Sequence, residues 1–412
     1  MSGKHRVAIT GIGLVTPLGI GKDAFWDALL AGAVAVDELT RFDASAFPSR
    51  IAAEIPDFDA SAYMERRRLQ WTDRFSQLAV VGALLACEDA RIAFEGRSDV
   101  GVYTGSALGG LAFAEEQIDA FRTQGLRAVR PLLTLSVFGG AAASNIAIAF
   151  GLHGPTISNA NSCAAGAIAI GQAFTAVRNG DVRAAIAGGV EAPRAPLTYG
   201  AFTVARAMST RNDSPKTASR PFDRDRDGFV LAEGAGFVVI ERYDDAVNRG
   251  AQPYAEILGF GTSNDAYHMA APLADGSETA RAMRSAIEDA ALGADEIESI
   301  NAHGSSTPVG DRAEIHAYRA VFGDRTGRIP VCATKGQHGH ALGATGAWEI
   351  GVSALTLSER RLPGAVNFSG CDEGYELHCR RTATESDARV LLSNSSGFGG
   401  INAALVMSRP AK

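Results

Sequence analysis

Three short stretches carry residue types that could do acyl chemistry together. "NSCAAG" sets Cys163 ahead of a run of small residues, and "INAHGSSTPVGD" (300–311) places His303 at the end of an apolar segment. "ATKGQHGHALGATGAWE" (333–349) gathers Lys335, His338, His340 and Glu349 around a second helix start. A cysteine at a helix mouth faces free backbone N–H groups and the positive end of the dipole. Both lower a thiol's pKa below its free value of about 8.5. A thiolate is also a good leaving group, which suits transfer of acyl groups between thioesters. Each residue has a plainer reading: Cys163 as a small buried hydrophobe, His303 and His340 as hydrogen-bonded core histidines, Lys335 as a solvated anchor. Chemistry is favoured because all of them arrive in strand-end turns, where α/β folds concentrate their ligand sites.

The elements that must position these turns alternate. "HRVAITGIG", "RAAIAGGV", "GFVVIER", "ESINAHG", "IPVCAT" and "RVLLSNSS" read as buried strands. "DAFWDALLAGA", "TDRFSQLAVVGALLACEDARI", "ETARAMRSAIEDAAL" and "RAEIHAYRAVF" carry the apolar stripe of helices. That alternation predicts α/β layers. The stretches 164–177 and 344–357, offset by 180 residues, share Ala164/Ala344, Gly166/Gly346, Ala167/Ala347, Ile170/Ile350 and Gly171/Gly351. Chance matching of Ala/Gly-rich segments is one account. A duplicated architecture is the other, because one helix follows Cys163 and its counterpart follows His340. The polar segment 209–228 is long for an idle loop, which points to a functional or interfacial role.

Composition narrows the function classes. With 412 residues, 46% hydrophobic and 21% charged, the chain can build a core without staples. A formal charge of −7 argues against non-specific nucleic-acid binding. Five scattered cysteines with no C-x-x-C pair predict a reduced, cytoplasmic protein. No apolar run reaches the ~18 residues of a membrane helix; the nearest, "GGAAASNIAIAFG", is short and interrupted. "GIGLVTPLG" lacks the third glycine of a dinucleotide or phosphate loop, with Thr16 and Pro17 in its place. The histidines around "HGH" have no metal-ligand spacing, so neither metal nor cofactor is expected.

These residues resemble the β-ketoacyl-acyl carrier protein synthases, in particular the elongating type II enzymes of fatty acid synthesis. The likeness runs over essentially the whole chain, through "VAITGIGLVTPLG", "GLHGPTISNANSCAAG", "STRNDSPKTASRPFDRDRDGFVLAEGAG", "GFGTSNDAYHM", "NAHGSSTPVGD", "TKGQHGHALGATGA" and "NSSGFGGINAAL". It implies the thiolase fold, an α/β architecture of duplicated βα halves in five αβαβα layers. The halves would be 1–250, with the nucleophile, and 251–412, with the histidines. By resemblance Cys163 accepts an acyl chain, and His303 and His340 promote decarboxylation of malonyl-acyl carrier protein and stabilise the enolate. Lys335 and Glu349 support the histidines. Backbone N–H groups of Cys163 and Phe398 form the oxyanion hole, with Phe398 also the gate. Leu108, Phe202, Ser305, Thr307 and Gly399 contact substrate. Arg66, Arg67, Arg68 and Arg206 are candidates for docking the acidic carrier protein, although for the 66–68 run a solvated helix face reads equally well.

The implied assembly is a homodimer. The pattern departs from the family at Leu133, where an aromatic residue would be less surprising, and at His338 and Ile401, where Thr is more usual. Ser305 also replaces a Thr. These departures keep a second pathway open: the active ketosynthase of a type II polyketide or polyene system, paired with a chain-length-factor sister that lacks the cysteine. A degradative thiolase is disfavoured, since "SGFGGINAAL" has no second cysteine, and an initiating synthase would pair Cys with His and Asn.

Overall fold

The computed structural model describes residues 4–410 and is built around a large mixed sheet. Its path contains eleven strands: β1 (Val7–Thr16), β2 (Val100–Gly105), β3 (Thr156–Asn159), β4 (Ala184–Glu191), β5 (Gly234–Arg242), β6 (Ala255–Asn264), β7 (Ser299–Asn301), β8 (Pro330–Cys332), β9 (His378–Cys379), β10 (Val390–Gly397) and β11 (Ile401–Ser408). The spatial order is β9-β8-β7-β10-β11-β6-β1-β5-β4-β2-β3.

Read outward from the centre, the order repeats. β1-β5-β4-β2-β3 pair antiparallel, antiparallel, parallel and parallel. β6-β11-β10-β7-β8 pair in the same sequence of directions. Chain order within each set also corresponds, so the 180-residue self-similarity reflects two copies of one topology. The copies join through a short antiparallel contact of Val7–Ile9 with Ala255–Ile257. The two sheets of the expected layering are therefore hydrogen-bonded along one edge into a single sheet.

Helices complete five layers. α1 (Arg74–Ala90) covers the outer face of β1 and β5, and α3 (Ser277–Asp289) covers β6 and β11. α4 (Pro308–Phe322) packs beside α3. Between the sheet halves lie α2 (Ala165–Asn179) and α5 (Thr345–Glu359), the two small-residue helices, packed on each other. Their composition is a distance requirement. A Cβ on Gly166 would stand 2.6 Å from the Gly343 carbonyl oxygen, and one on Gly346 would stand 3.0 Å from Ala167 Cβ. The G-x-G of β1 has a similar cause: a Cβ on Gly13 would reach 2.0 Å from the Gly82 carbonyl oxygen of α1. These glycines admit a helix, not a phosphate.

The apolar stretch at 139–151 folds as the ten-residue helix Ala141–Phe150. Among the described residues no helix is long and apolar enough to cross a membrane.

Candidate active site

Cys163 sits in a one-turn 3₁₀ segment, Ser162–Ala164, that leads into α2. The α5 copy repeats the device, with Leu342–Ala344 leading out of the His340 turn. Cys163, His303, His340 and Phe398 line one cavity of about 510 Å³, together with Leu108, Phe202, Ser305, Thr307, Gly399 and Arg206. Rings run through it in a chain. Phe398 lies 6.4 Å from Phe202, Phe202 5.8 Å from Phe229, Phe229 5.5 Å from His340, and His340 5.4 Å from His303.

The histidines are fixed from behind. Lys335 and Glu349 do not line the cavity; they form an ion pair with side chains only 1% exposed, and Lys335 Nζ also donates to the His303 carbonyl. Burial pushes the Glu349 carboxyl up to about 7, against the pull of Lys335. Burial and then the Lys335 charge hold both His303 and His340 well below the usual histidine value. Each ring is therefore neutral at pH 7 and carries one N–H. Thr345 Oγ1 lies 3.0 Å from His340 Nδ1, so when its hydroxyl donates there the proton sits on Nε2.

Several partners are invisible in the local sequence. Glu314 of α4 accepts from the backbone N–H of His303 (2.7 Å) and of Gly304 (2.8 Å) and from the Tyr318 hydroxyl (2.7 Å), so a single carboxylate sets the His303 turn. Glu191, at the end of β4, accepts from the N–H groups of Ala107, Leu108 and Gly343 and from Ser106, tying the Leu108 loop to the α5 turn. The polar segment 209–228 buttresses the site: Ser219 Oγ donates to the Lys335 carbonyl at 2.7 Å, Arg220 N–H to Ser306 Oγ, and Arg226 to the Thr307 and Pro308 carbonyls. Ser305 and Thr307 hydroxyls lie 2.8 Å apart at the cavity wall.

The cysteine departs from the expectation of an acidified thiol. Burial pushes the Cys163 thiol up to about 11, outweighing the Ser162 hydroxyl, the Lys335 charge and the Phe398 backbone N–H, which all pull it down. Helix-end N–H groups act only on the local backbone side of the thiol, and desolvation by the cavity walls outweighs them. Around the sulfur the backbone is kept bare. A Cβ on Gly397 would stand 2.9 Å from Cys163 N, and Gly399 and Gly400 turn the chain at φ 83° and 71° beside Phe398. Phe398 is 38% exposed.

Of the arginines expected to dock the carrier, Arg206 lies at the cavity mouth, whereas Arg66, Arg67 and Arg68 sit on the short helix Arg66–Leu69 and do not line it. Leu133 opens another one-turn helix and is not among the lining residues. His338 is buried with both ring nitrogens occupied, Nδ1 against Gly339 O at 2.8 Å and Nε2 against Thr334 Oγ1 at 2.9 Å.

Comparison with known proteins gives the same account from a separate direction. Residues 4–246 match the model of the beta-ketoacyl synthase N-terminal domain, and residues 254–369 that of the C-terminal domain. A 3-oxoacyl-[acyl-carrier-protein] synthase 2 of Coxiella burnetii is 42% identical over 98% of this chain and 99% of its own length. A beta-ketoacyl synthase from Burkholderia phymatum superposes with a TM-score of 0.91 at 34% identity, over 99% of this chain and all of that one. A type II polyketide synthase ketosynthase, solved with its acyl-carrier protein and bound to the hexaketide, gives 0.91 at 30% identity with the same coverage. A duplicated fold with Cys163 and two neutral histidines in one cavity, matched along its whole length in this way, belongs to the β-ketoacyl synthase family.

Proposed function

We propose that this protein is an elongating condensing enzyme, an acyltransferase that joins an acyl chain held on Cys163 to malonyl-acyl carrier protein. Cys163 Sγ attacks the carrier-bound thioester and takes the acyl group. The carbonyl oxygen receives the N–H groups of Cys163 and Phe398. Malonyl carrier protein then enters, CO₂ leaves, and the resulting enolate oxygen is met by N–H donors of His303 and His340. The carbanion attacks the Cys163 thioester, the C–S bond breaks, and 3-oxoacyl carrier protein departs two carbons longer. The observation that carries this reading is the pair of neutral imidazoles, rings 5.4 Å apart, sharing one cavity with the cysteine. Preset neutral donors suit an oxygen that gains charge during the reaction. The test separates the half-reactions: His303→Ala and His340→Ala should leave Cys163 acylation intact and abolish CO₂ release from malonyl carrier protein. Loss of acylation in both variants would remove the histidines from this role.

The two halves, 1–250 and 251–412, supply the nucleophile and the histidines respectively. Leu108, Phe202 and Gly399 contact the acyl chain, Phe398 gates it, Ser305 and Thr307 hydrogen-bond the pantetheine arm, and Arg206 with Arg66, Arg67 and Arg68 steers the acidic carrier. The active unit is a dimer. β3 ends the sheet path with Ile157 exposed on it, and Ile148 is exposed on the helix Ala141–Phe150 that packs against it, with Phe138 exposed just before that helix. An uncovered apolar edge of that kind invites aggregation, so a second copy continuing the sheet across a two-fold axis is the occupant we assign. We place the enzyme in the cytoplasm, consistent with five free thiols. The likeness to a solved ketosynthase/chain length factor favours one alternative: pairing with a chain-length-factor sister instead of an identical copy.

A further inference from the structure

The residue before the nucleophile adopts a conformation that needs a reason. Ser162 has φ 52°, in the left-handed region where an L-residue is strained and Gly or Asn is the ordinary choice. Its side chain is half-buried, lines the cavity, and places Oγ 3.8 Å from Cys163 Sγ. Space there is tight, since a Cβ on Gly397 would approach Ser162 Cβ to 3.1 Å. A hydroxyl has been fitted beside the sulfur at a position where glycine would relieve the backbone.

The sulfur has few other sources of support. Lys335 Nζ is engaged by Glu349 and the His303 carbonyl. The Phe398 N–H that reaches the thiol at rest is wanted on the acyl carbonyl oxygen once substrate is bound. A buried sulfur that must carry charge needs a donor that stays with it through both half-reactions.

We propose that the Ser162 hydroxyl is a catalytic hydrogen-bond donor to Cys163 Sγ. It holds the thiolate as it attacks the acyl thioester: the Sγ–C bond forms, the bond from the acyl carbon to the carrier sulfur breaks, and the proton given up by Cys163 ends on the departing carrier thiolate. It holds it again in condensation, when the Sγ–C bond breaks and its electron pair returns to sulfur. Ser162 keeps its proton throughout.

This inference rests on Cys163 being the acyl acceptor, and the test separates the two claims. Alkylation of Cys163 by iodoacetamide, followed by mass spectrometry over a pH series, reads the thiolate without any carrier substrate. Ser162→Ala removes the hydroxyl and keeps the backbone strain; Ser162→Gly removes the hydroxyl and relieves the strain. Both variants should move the pH–rate profile upward by about one unit, a tenfold loss of thiolate at a given pH. Both should slow acylation and condensation together. Wild-type profiles in Ser162→Gly would overturn the proposal, whether or not Ser162→Ala is impaired, because only backbone conformation would then be at stake. Failure of carrier substrates to acylate Cys163 in the wild-type protein would overturn the reading of the nucleophile, and this inference with it.

Discussion

Gly397→Ala is the sharpest perturbation of the proposed oxyanion hole. Gly397 closes β10 just before the Phe398 turn, and its missing side chain leaves room at Cys163. An added methyl would stand 2.9 Å from Cys163 N and 3.3 Å from Ala164 N, closer than carbon comfortably approaches backbone nitrogen. The clashing atoms are two backbone nitrogens of the turn that leads into α2 and the Ser162 Cβ fixed to the same backbone, so no flexible side-chain end can yield. Either the Cys163 N–H turns away or the acyl oxygen is displaced from it. Losing one oxyanion donor costs about 10²–10³ in rate. Two rates on the same protein test this. Acylation of Cys163 from acyl carrier protein should fall by that factor, whereas alkylation by iodoacetamide, which develops no oxyanion, should remain close to wild type. Acylation within a few-fold of wild type would refute the assignment. Equal loss of both rates would show that the methyl displaces the cysteine itself.

Other outcomes follow from the same geometry. Lys335→Met leaves Glu349 buried and unpaired, so denaturant unfolding should show a loss of about 3–5 kcal/mol, with much of it recovered by adding Glu349→Leu. Glu314→Gln leaves an amide where the His303 and Gly304 N–H groups need an acceptor; condensation should fall by at least tenfold while Cys163 acylation is retained, measured as separate half-reactions. Burial holds His338 down at about 3. Because the unfolded chain binds a proton below about 6.5 that the folded ring refuses, stability from this residue is complete above that pH and lost as pH falls toward 3. His338→Gln should flatten the stability–pH slope between pH 6 and 4 by about 1.4 kcal/mol per pH unit, read by urea melts.

Elements with a strong period were readable in the chain. "RFSQLAVVGALLACEDA" and "SETARAMRSAIED" fold as α1 and α3, and the β-branched runs around Ile186, Val238 and Leu391 are central strands. β3 was not, because Thr156–Asn159 is short and faces solvent at the sheet edge. β6 was hidden by glycines that seat α3: a Cβ on Gly261 would come within 2.3 Å of the Ala282 carbonyl oxygen. The chemistry-bearing residues stood out because cysteine, histidine and lysine are rare next to small-residue turns. Their supports did not. Glu314 and Glu191 look like ordinary polar positions of a helix and a strand end until tertiary packing buries them against N–H groups from distant segments. The thiol's raised pKa is likewise a property of the assembled cavity, which no six-residue window contains.

The most direct measurement is mass spectrometry of carrier protein after incubating this chain alone with acyl- and malonyl-carrier proteins, beside a Cys163→Ala control. A carrier-bound 3-oxoacyl group two carbons longer than the starting chain, absent from the control, is the predicted result. Acylated Cys163 without extension would contradict a self-sufficient elongating enzyme and call for a partner subunit. A Cys163 that no carrier substrate acylates would contradict the mechanism itself.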